Sequence, residues 1–417
     1  MTPPELAPAA PAPLSDAPPQ RSQAEFVAMM AMLFATIALS IDGMLPALPE
    51  IAATLSPGQP NLAQLVVTSF VLGLGLGTLI TGPLSDAIGR RPVLIGCGVI
   101  YGIGAVLSFL APSLEMLLAA RVLMGIGGSG PRAVGLALVR DLYQGRAMAR
   151  IMSFVMTVFT LVPAVAPLIG QGVIWVAGWR AVFLVFLAFQ VAVMAWFALR
   201  QPETLPPAQR RPLAVAPLLQ AGRAFLANRV AVASTLAQVL SSASLFALLS
   251  AVQPIFETTF NRADSFPVWF VLMTLGGAAG AFLNTRVVMR FGMHRVIRAT
   301  YASMLAFSLL VLAAFVWGVA GPAAFGLFVV WGMALLCVIG LTLGNLSALA
   351  MEDMGAMAGF ASSLMAAFAT MGAVALAVPV GQAFDGTALP LLIGVTVFLG
   401  LALVLTRWMK APMPPRP

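Results

Sequence analysis

The chain has 417 residues, of which 60% are hydrophobic and only 9% charged. A soluble domain carries about 25% charged residues, so this composition cannot cover a water-exposed surface and belongs to the membrane class. The formal net charge of +8 does not point to nucleic acid, because the basic residues form no single patch and recur in short clusters between apolar runs.

The first 24 residues read as a disordered cytoplasmic tail. Met1 to Arg21 are rich in Pro and Ala, and no basic stretch precedes an apolar core as it would in a signal peptide. Twelve apolar runs follow, each near the roughly 20 residues that a spanning helix needs. Six lie at 25–46, 62–82, 93–111, 114–139, 148–171 and 178–199. Six more lie at 230–252, 267–289, 295–317, 322–347, 357–380 and 388–409.

The first run ends in Ser40-Ile41-Asp42-Gly43-Met44-Leu45-Pro46-Ala47-Leu48-Pro49. A carboxylate inside a spanning run is costly and marks a functional site by default. Asp42 either loads and releases a proton or bonds to backbone that the prolines expose. After the second run comes Gly82-Pro83-Leu84-Ser85-Asp86-Ala87-Ile88-Gly89-Arg90-Arg91-Pro92. Gly82 and Gly89 permit a tight turn. Asp86 can cap the next helix or pair with an Arg, and Arg90 with Arg91 holds the loop on one side of the membrane.

Arg121 and Arg132 lie within the fourth run. An Arg is always charged, so inside a membrane it needs a carboxylate, carbonyls or water, or it snorkels outward. Asp42 is the expected partner of Arg121. Eleven residues at ~3.6 per turn bring Arg132 back to nearly the same face, roughly 16 Å away, and its role is open. Gly125-Ile126-Gly127-Gly128-Ser129-Gly130 fits G-x-G-x-x-G but lies inside a spanning run, so its glycines serve packing and not a nucleotide. Arg140-Asp141-Leu142-Tyr143 closes the run. The fifth run carries Val162-Pro163-Ala164-Val165-Ala166-Pro167-Leu168-Ile169-Gly170, where Pro167 can kink the helix.

Residues 201–229 contain Pro202, Pro206, Pro207, Pro212 and Pro217 and form the linker between a first bundle at 25–200 and a second at 230–410. A weak internal echo supports duplication: Arg286 to Arg295 repeats the glycine and arginines of the 82–92 turn but lacks its acid. Gln238, Ser241, Ser242, Gln253 and Asn345 are polar candidates for a substrate cavity, or else partners in helix–helix hydrogen bonds. Cys97 and Cys337 have no Cys or His at ligand spacing, and His294 stands in a basic loop. No metal or other cofactor is expected.

Of the 22 basic residues, Arg180 and Arg262 alone fall on one side, Arg121 and Arg132 fall inside a run, and the rest share the other side. This places both termini in the cytoplasm. Glu352 and Asp353, in a cytoplasmic loop with no basic residue, go against the pattern but weigh little in topology.

These motifs together resemble the major facilitator superfamily, and within it the drug:proton antiporters of the bicyclomycin/chloramphenicol-resistance family. The resemblance implies an all-α membrane protein with twelve transmembrane helices in two six-helix halves. It implies that Gly82, Asp86, Gly89, Arg90 and Arg91 form the cytoplasmic gate motif, and that Asp42 and Arg121 couple to protons. Pro167 and Gly170 match the antiporter motif, with Ala166 where Gly is usual, and Trp179-Arg180 with Phe183 matches the start of helix six. The implied protein is a monomeric transporter of the bacterial inner membrane, with the lipid bilayer, protons and a small amphipathic substrate as partners and no nucleic acid. Transport of one specific metabolite, or a non-transporting membrane sensor, are the alternatives.

Overall fold

The computed structural model describes residues 22–210, 215–352, 354 and 358–409. The tail before Ser22, Asp353 and Lys410 lie outside the described residues, as does the side chain of Arg146. Every described element is helical. The helices are α1 (Gln23–Asp42), α2 (Leu48–Leu55), α3 (Leu65–Ile88), α4 (Arg90–Leu110), α5 (Leu114–Leu142), α6 (Gly145–Arg200) and α7 (Val215–Ala227). They continue as α8 (Arg229–Pro254), α9 (Phe266–Phe291), α10 (Met293–Val316), α11 (Gly321–Met351), α12 (Ala358–Gln382) and α13 (Leu389–Leu405).

Ten of the described helical segments are long and apolar enough to cross a membrane. One of them, α6, has 56 residues and would be about 84 Å long if straight, far beyond the ~30 Å of a hydrocarbon core. Gly178, at φ 75° and ψ 171°, interrupts it and separates the fifth apolar run from the sixth. With the 17-residue α13 added, all twelve runs have a helix. One expectation changes. The first span does not end near residue 46, because it continues through a short 3-10 turn into α2, where Pro46 and Pro49 sit in first-turn positions that need no N–H bond. The 201–229 linker contains α7.

The halves are internally repeated. Gly73 meets the Val122 carbonyl where α3 crosses α5, and Gly276 meets the Met333 carbonyl where α9 crosses α11. One turn on, Gly77 faces Ile126 and Gly280 faces Cys337. Gly73, Gly77 and Gly89 recur at one constant spacing as Gly276, Gly280 and Gly292, the last of each set at positive φ in the turn to the next helix. Lipid gives helices no hydrophobic reason to associate, so such glycine-to-backbone contacts supply close packing instead. A Ser–Tyr hydroxyl pair recurs as well, Ser40 with Tyr101 and Ser241 with Tyr301. Large apolar side chains such as Ile80, Trp175, Leu199 and Phe282 are exposed on the outside of the bundle, the surface lipid would cover.

The halves touch along α3 with α12 and α6 with α9. The end holding the start of α1 and the end of α13 is the terminal end. There, Arg200 forks onto Glu25 through Nε and Nη2 at 2.7 and 2.9 Å. At the opposite, far end, Asn61 Nδ2 donates to the Gln382 and Phe384 carbonyls, and Gln382 Nε2 donates back to the Asn61 carbonyl at 2.8 Å.

A Cβ at Gly73 collides with backbone, while one at Gly96 meets open space. Gly73→Ala is therefore expected to cost about 1–3 kcal/mol by overpacking and to lower the melting midpoint in detergent by several degrees. Gly96→Ala leaves that midpoint unchanged or raises it.

Candidate functional site

Ser113 caps α5 through the Met116 N–H, and two turns later the helix delivers Arg121 to the interior of the first half. The guanidinium is completely buried. Nε donates to the Val66 carbonyl of α3 at 3.0 Å, and Nη2 to the Ser40 carbonyl of α1 at 2.9 Å. Nη1 faces Met124 Sδ at 3.5 Å, and the ring of Phe70 lies 4.5 Å from the guanidinium carbon. Ser40 lies in the last turn of α1, where carbonyls have lost their intrahelical partners and the helix dipole is negative. The end of α1 thus offers both the acceptor and the field that a cation needs.

Asp42 is not the partner of Arg121, which corrects the expected ion pair. Among the described residues the ion pairs are Arg90 with Asp86, Arg90 with Asp141, and Arg200 with Glu25. The cation is satisfied instead by backbone, because α1 ends here and leaves the Ser40 carbonyl without an intrahelical partner. Asp42 is 5% exposed. The next residue, Gly43, lies directly against Gly170 of α6, and a Cβ at Gly170 would strike the Gly43 carbonyl. The ring of Phe186 flanks Gly43 too. The residue after Asp42 and the Pro167–Gly170 motif, far apart in the chain, therefore meet at one helix crossing. Pro167 and Ala166 are buried there. Ser40 completes the junction by donating to the Thr36 carbonyl at 2.6 Å and bonding the Tyr101 hydroxyl.

At the terminal end, Gly89 at φ 115° turns α3 into α4. Arg90 Nη1 binds Asp86 and also Ser85 Oγ at 2.7 Å, while its Nε binds Asp141 at 3.1 Å. Asp86 thus takes the pairing role and not the capping role. The cap of α4 comes from Glu203, whose two oxygens accept the Arg90 and Arg91 N–H groups at 2.9 and 3.1 Å. Arg91 itself reaches the Ala198 carbonyl at 2.8 Å, and Gly82 stands where its Cβ would approach Ser363 of α12. Burial alone would raise the Glu203 carboxyl. The N–H groups of Leu205, Arg90, Arg91 and Thr204 outweigh it and hold the carboxyl below the usual glutamate range.

In the second half Ser241 is occupied by Tyr301 at 2.6 Å, and Asn345 Nδ2 by Asn284 and the Leu341 carbonyl. These two join helices to helices. Gln238 reaches Ser347 only at 3.5 Å, and its Oε1, like that of Gln253, has no hydrogen-bond partner. Ser242 is half-buried beside them on α8. Arg132 Nη1 crosses to Thr370 Oγ1 of α12 at 3.2 Å. Cys97 and Cys337 are free thiols in opposite halves, and His294 is exposed in the first turn of α10. The reading of the sequence missed Glu203, Tyr101 and Thr370. Glu203 had a usable signal, a rare acid set among the linker prolines within a few residues of Arg200.

The Major Facilitator Superfamily model matches residues 28–378. An uncharacterised MFS-type transporter of Bacillus subtilis, YdgK, is 29% identical over 81% of this chain and 83% of its own length. A bicyclomycin resistance protein homolog of Haemophilus influenzae is 28% identical over 68% of this chain and 71% of its own. The crystal structure of a D-xylose-proton symporter superposes with a TM-score of 0.74 at 15% identity, covering 93% of this chain and 96% of that one. Twelve spanning runs in two related halves, a buried arginine inside the first half and a family match over residues 28–378 make this protein a multi-pass transporter of the Major Facilitator Superfamily.

Proposed function

We propose that this transporter exports small amphipathic compounds across the bacterial inner membrane in exchange for protons, with Asp42 as the proton carrier. One observation carries the reading: Asp42 is a buried carboxyl at a helix crossing whose neighbouring cation, Arg121, is already satisfied by carbonyls. A carboxylate locked in an ion pair gives up its charge reluctantly. One without such a partner changes charge as soon as water brings or removes a proton, and only its neutral form crosses a low-dielectric path cheaply. Arg121 stays charged throughout and anchors the ends of α1 and α3. The relative described as a bicyclomycin resistance protein homolog supports a drug-like cargo.

The terminal end is then cytoplasmic and the far end periplasmic. The Asn61–Gln382 exchange closes the periplasmic side in this state. Rocking of the halves breaks that exchange and offers Asp42 to the opposite compartment. The 82–92 turn acts as the cytoplasmic latch, with Glu203 tying it to the linker. A monomer suffices, because both walls of the path come from one chain.

Asp42→Asn is expected to abolish efflux driven by a pH gradient in proteoliposomes while leaving the protein folded. Unchanged efflux would rule Asp42 out as carrier. The Glu203 cap gives a second test. A folded carboxyl held below its usual range stabilises the protein at neutral pH and loses that contribution as pH falls through its folded value. Glu203→Gln should therefore lower the melting midpoint at pH 7, and the gap between wild type and variant should begin to narrow only below the usual glutamate range and close as pH falls through the lower folded value. A gap that stays constant with pH contradicts the cap.

A further inference from the structure

Arg132 is a second charged group on the inner face of α5, and the proton site does not use it. It shares that face with Arg121, roughly 16 Å along the helix. Between them Gly125 rests on the Phe70 carbonyl of α3, and just beyond, Gly135 rests on the ring of Phe34 of α1. The face therefore looks out between α1 and α3 toward the second half. There Arg132 Nη1 meets Thr370 Oγ1, and Thr370 donates its own proton to the Ala366 carbonyl at 2.7 Å. Gly75 of α3 packs on Thr370 and Met371 at the same point, so the guanidinium bridges the two halves.

The two arginines differ in what fills their forks. Arg121 has two carbonyls, a thioether and an aromatic face. Arg132 has one neutral hydroxyl, and it is half-buried, not sealed. No carboxylate among the described residues pairs with it. Asp141, nine residues further along α5, is taken by Arg90 and Thr204. A permanently charged fork with open N–H groups in a membrane interior calls for an anion, and a planar carboxylate fits a guanidinium in bidentate fashion. Met371 beside Thr370 adds apolar surface, which suits an organic acid better than an inorganic ion.

We propose that Arg132 and Thr370 form a recognition site for a carboxylate or similar anionic group on an amphipathic cargo, docked between the two halves. That the bound anion is cargo rests on the export reading above; that it binds does not.

The test uses the purified full chain and two dyes, anionic fluorescein and cationic rhodamine 6G. Fluorescence anisotropy should show fluorescein binding to wild type. R132Q should weaken it about tenfold or more, and R132K and T370V by less. Rhodamine 6G, with an unchanged elution profile on gel filtration, reports whether each variant is folded. Fluorescein binding that is equal in R132Q and wild type, or absent from wild type, overturns the site. Proteoliposomes under a pH gradient then separate the two readings. If wild type binds fluorescein through Arg132 but moves no dye, the export reading fails and the site stands. If R132Q exports fluorescein as well as wild type does, the site falls and export stands.

Discussion

The junction at the end of α1 depends on how one buried guanidinium is satisfied. Arg121 cannot lose its charge and has no carboxylate to face, so it takes carbonyls from two other helices. This works because α1 stops at Asp42 and leaves its last-turn carbonyls free. The stop is written in the chain as Gly43 followed by Pro46 and Pro49. Helix ending and cation placement are therefore one event. Gly170 adds the last condition, since any side chain there would push α6 away from Gly43.

The internal repeat shows how specialised that junction is. Carried along the constant spacings that relate the halves, Arg121 falls on Gly332 and Phe70 falls on Met273. The methyl of Met273 fills the space beside Gly332. The second half thus keeps the close helix crossings and the Ser–Tyr pair but replaces the charge with a thioether. Its polar residues follow the same division. Ser241 and Asn345 hold helices together, while Gln238 and Gln253 of α8 keep unfilled acceptors, as do the Ser234 and Ser250 hydroxyls on the same helix. The buried arginine of the first half thus has no counterpart in the second.

The terminal-end turn is built on similar economy. Arg90 gathers Asp86, Ser85 and Asp141 from two helices, while its own N–H and that of Arg91 go to Glu203. The helix N-terminus supplies positive charge and the linker supplies the carboxylate. The linker is thereby fixed to the first half, next to the point where Gly82 faces α12.

Much of this was legible in the sequence. Composition alone placed the chain in a membrane, apolar run length gave twelve crossings, and the scarcity of charge made Asp42, Asp86, Arg90 and Arg121 conspicuous. Those signals are one-dimensional, and the membrane enforces them because every buried polar group is expensive. Partner choice was not legible. Arg121 near Asp42 looked like an ion pair, yet the cation takes the Ser40 carbonyl that the end of α1 leaves free. Asp86 looked able to cap α4, yet a glutamate more than a hundred residues later took that place. Arg132 had no readable partner until α12 brought Thr370 to it. Sequence determines which groups must be satisfied; only the packing of helices decides by whom, because that depends on the face each residue presents and on glycines that let two backbones touch.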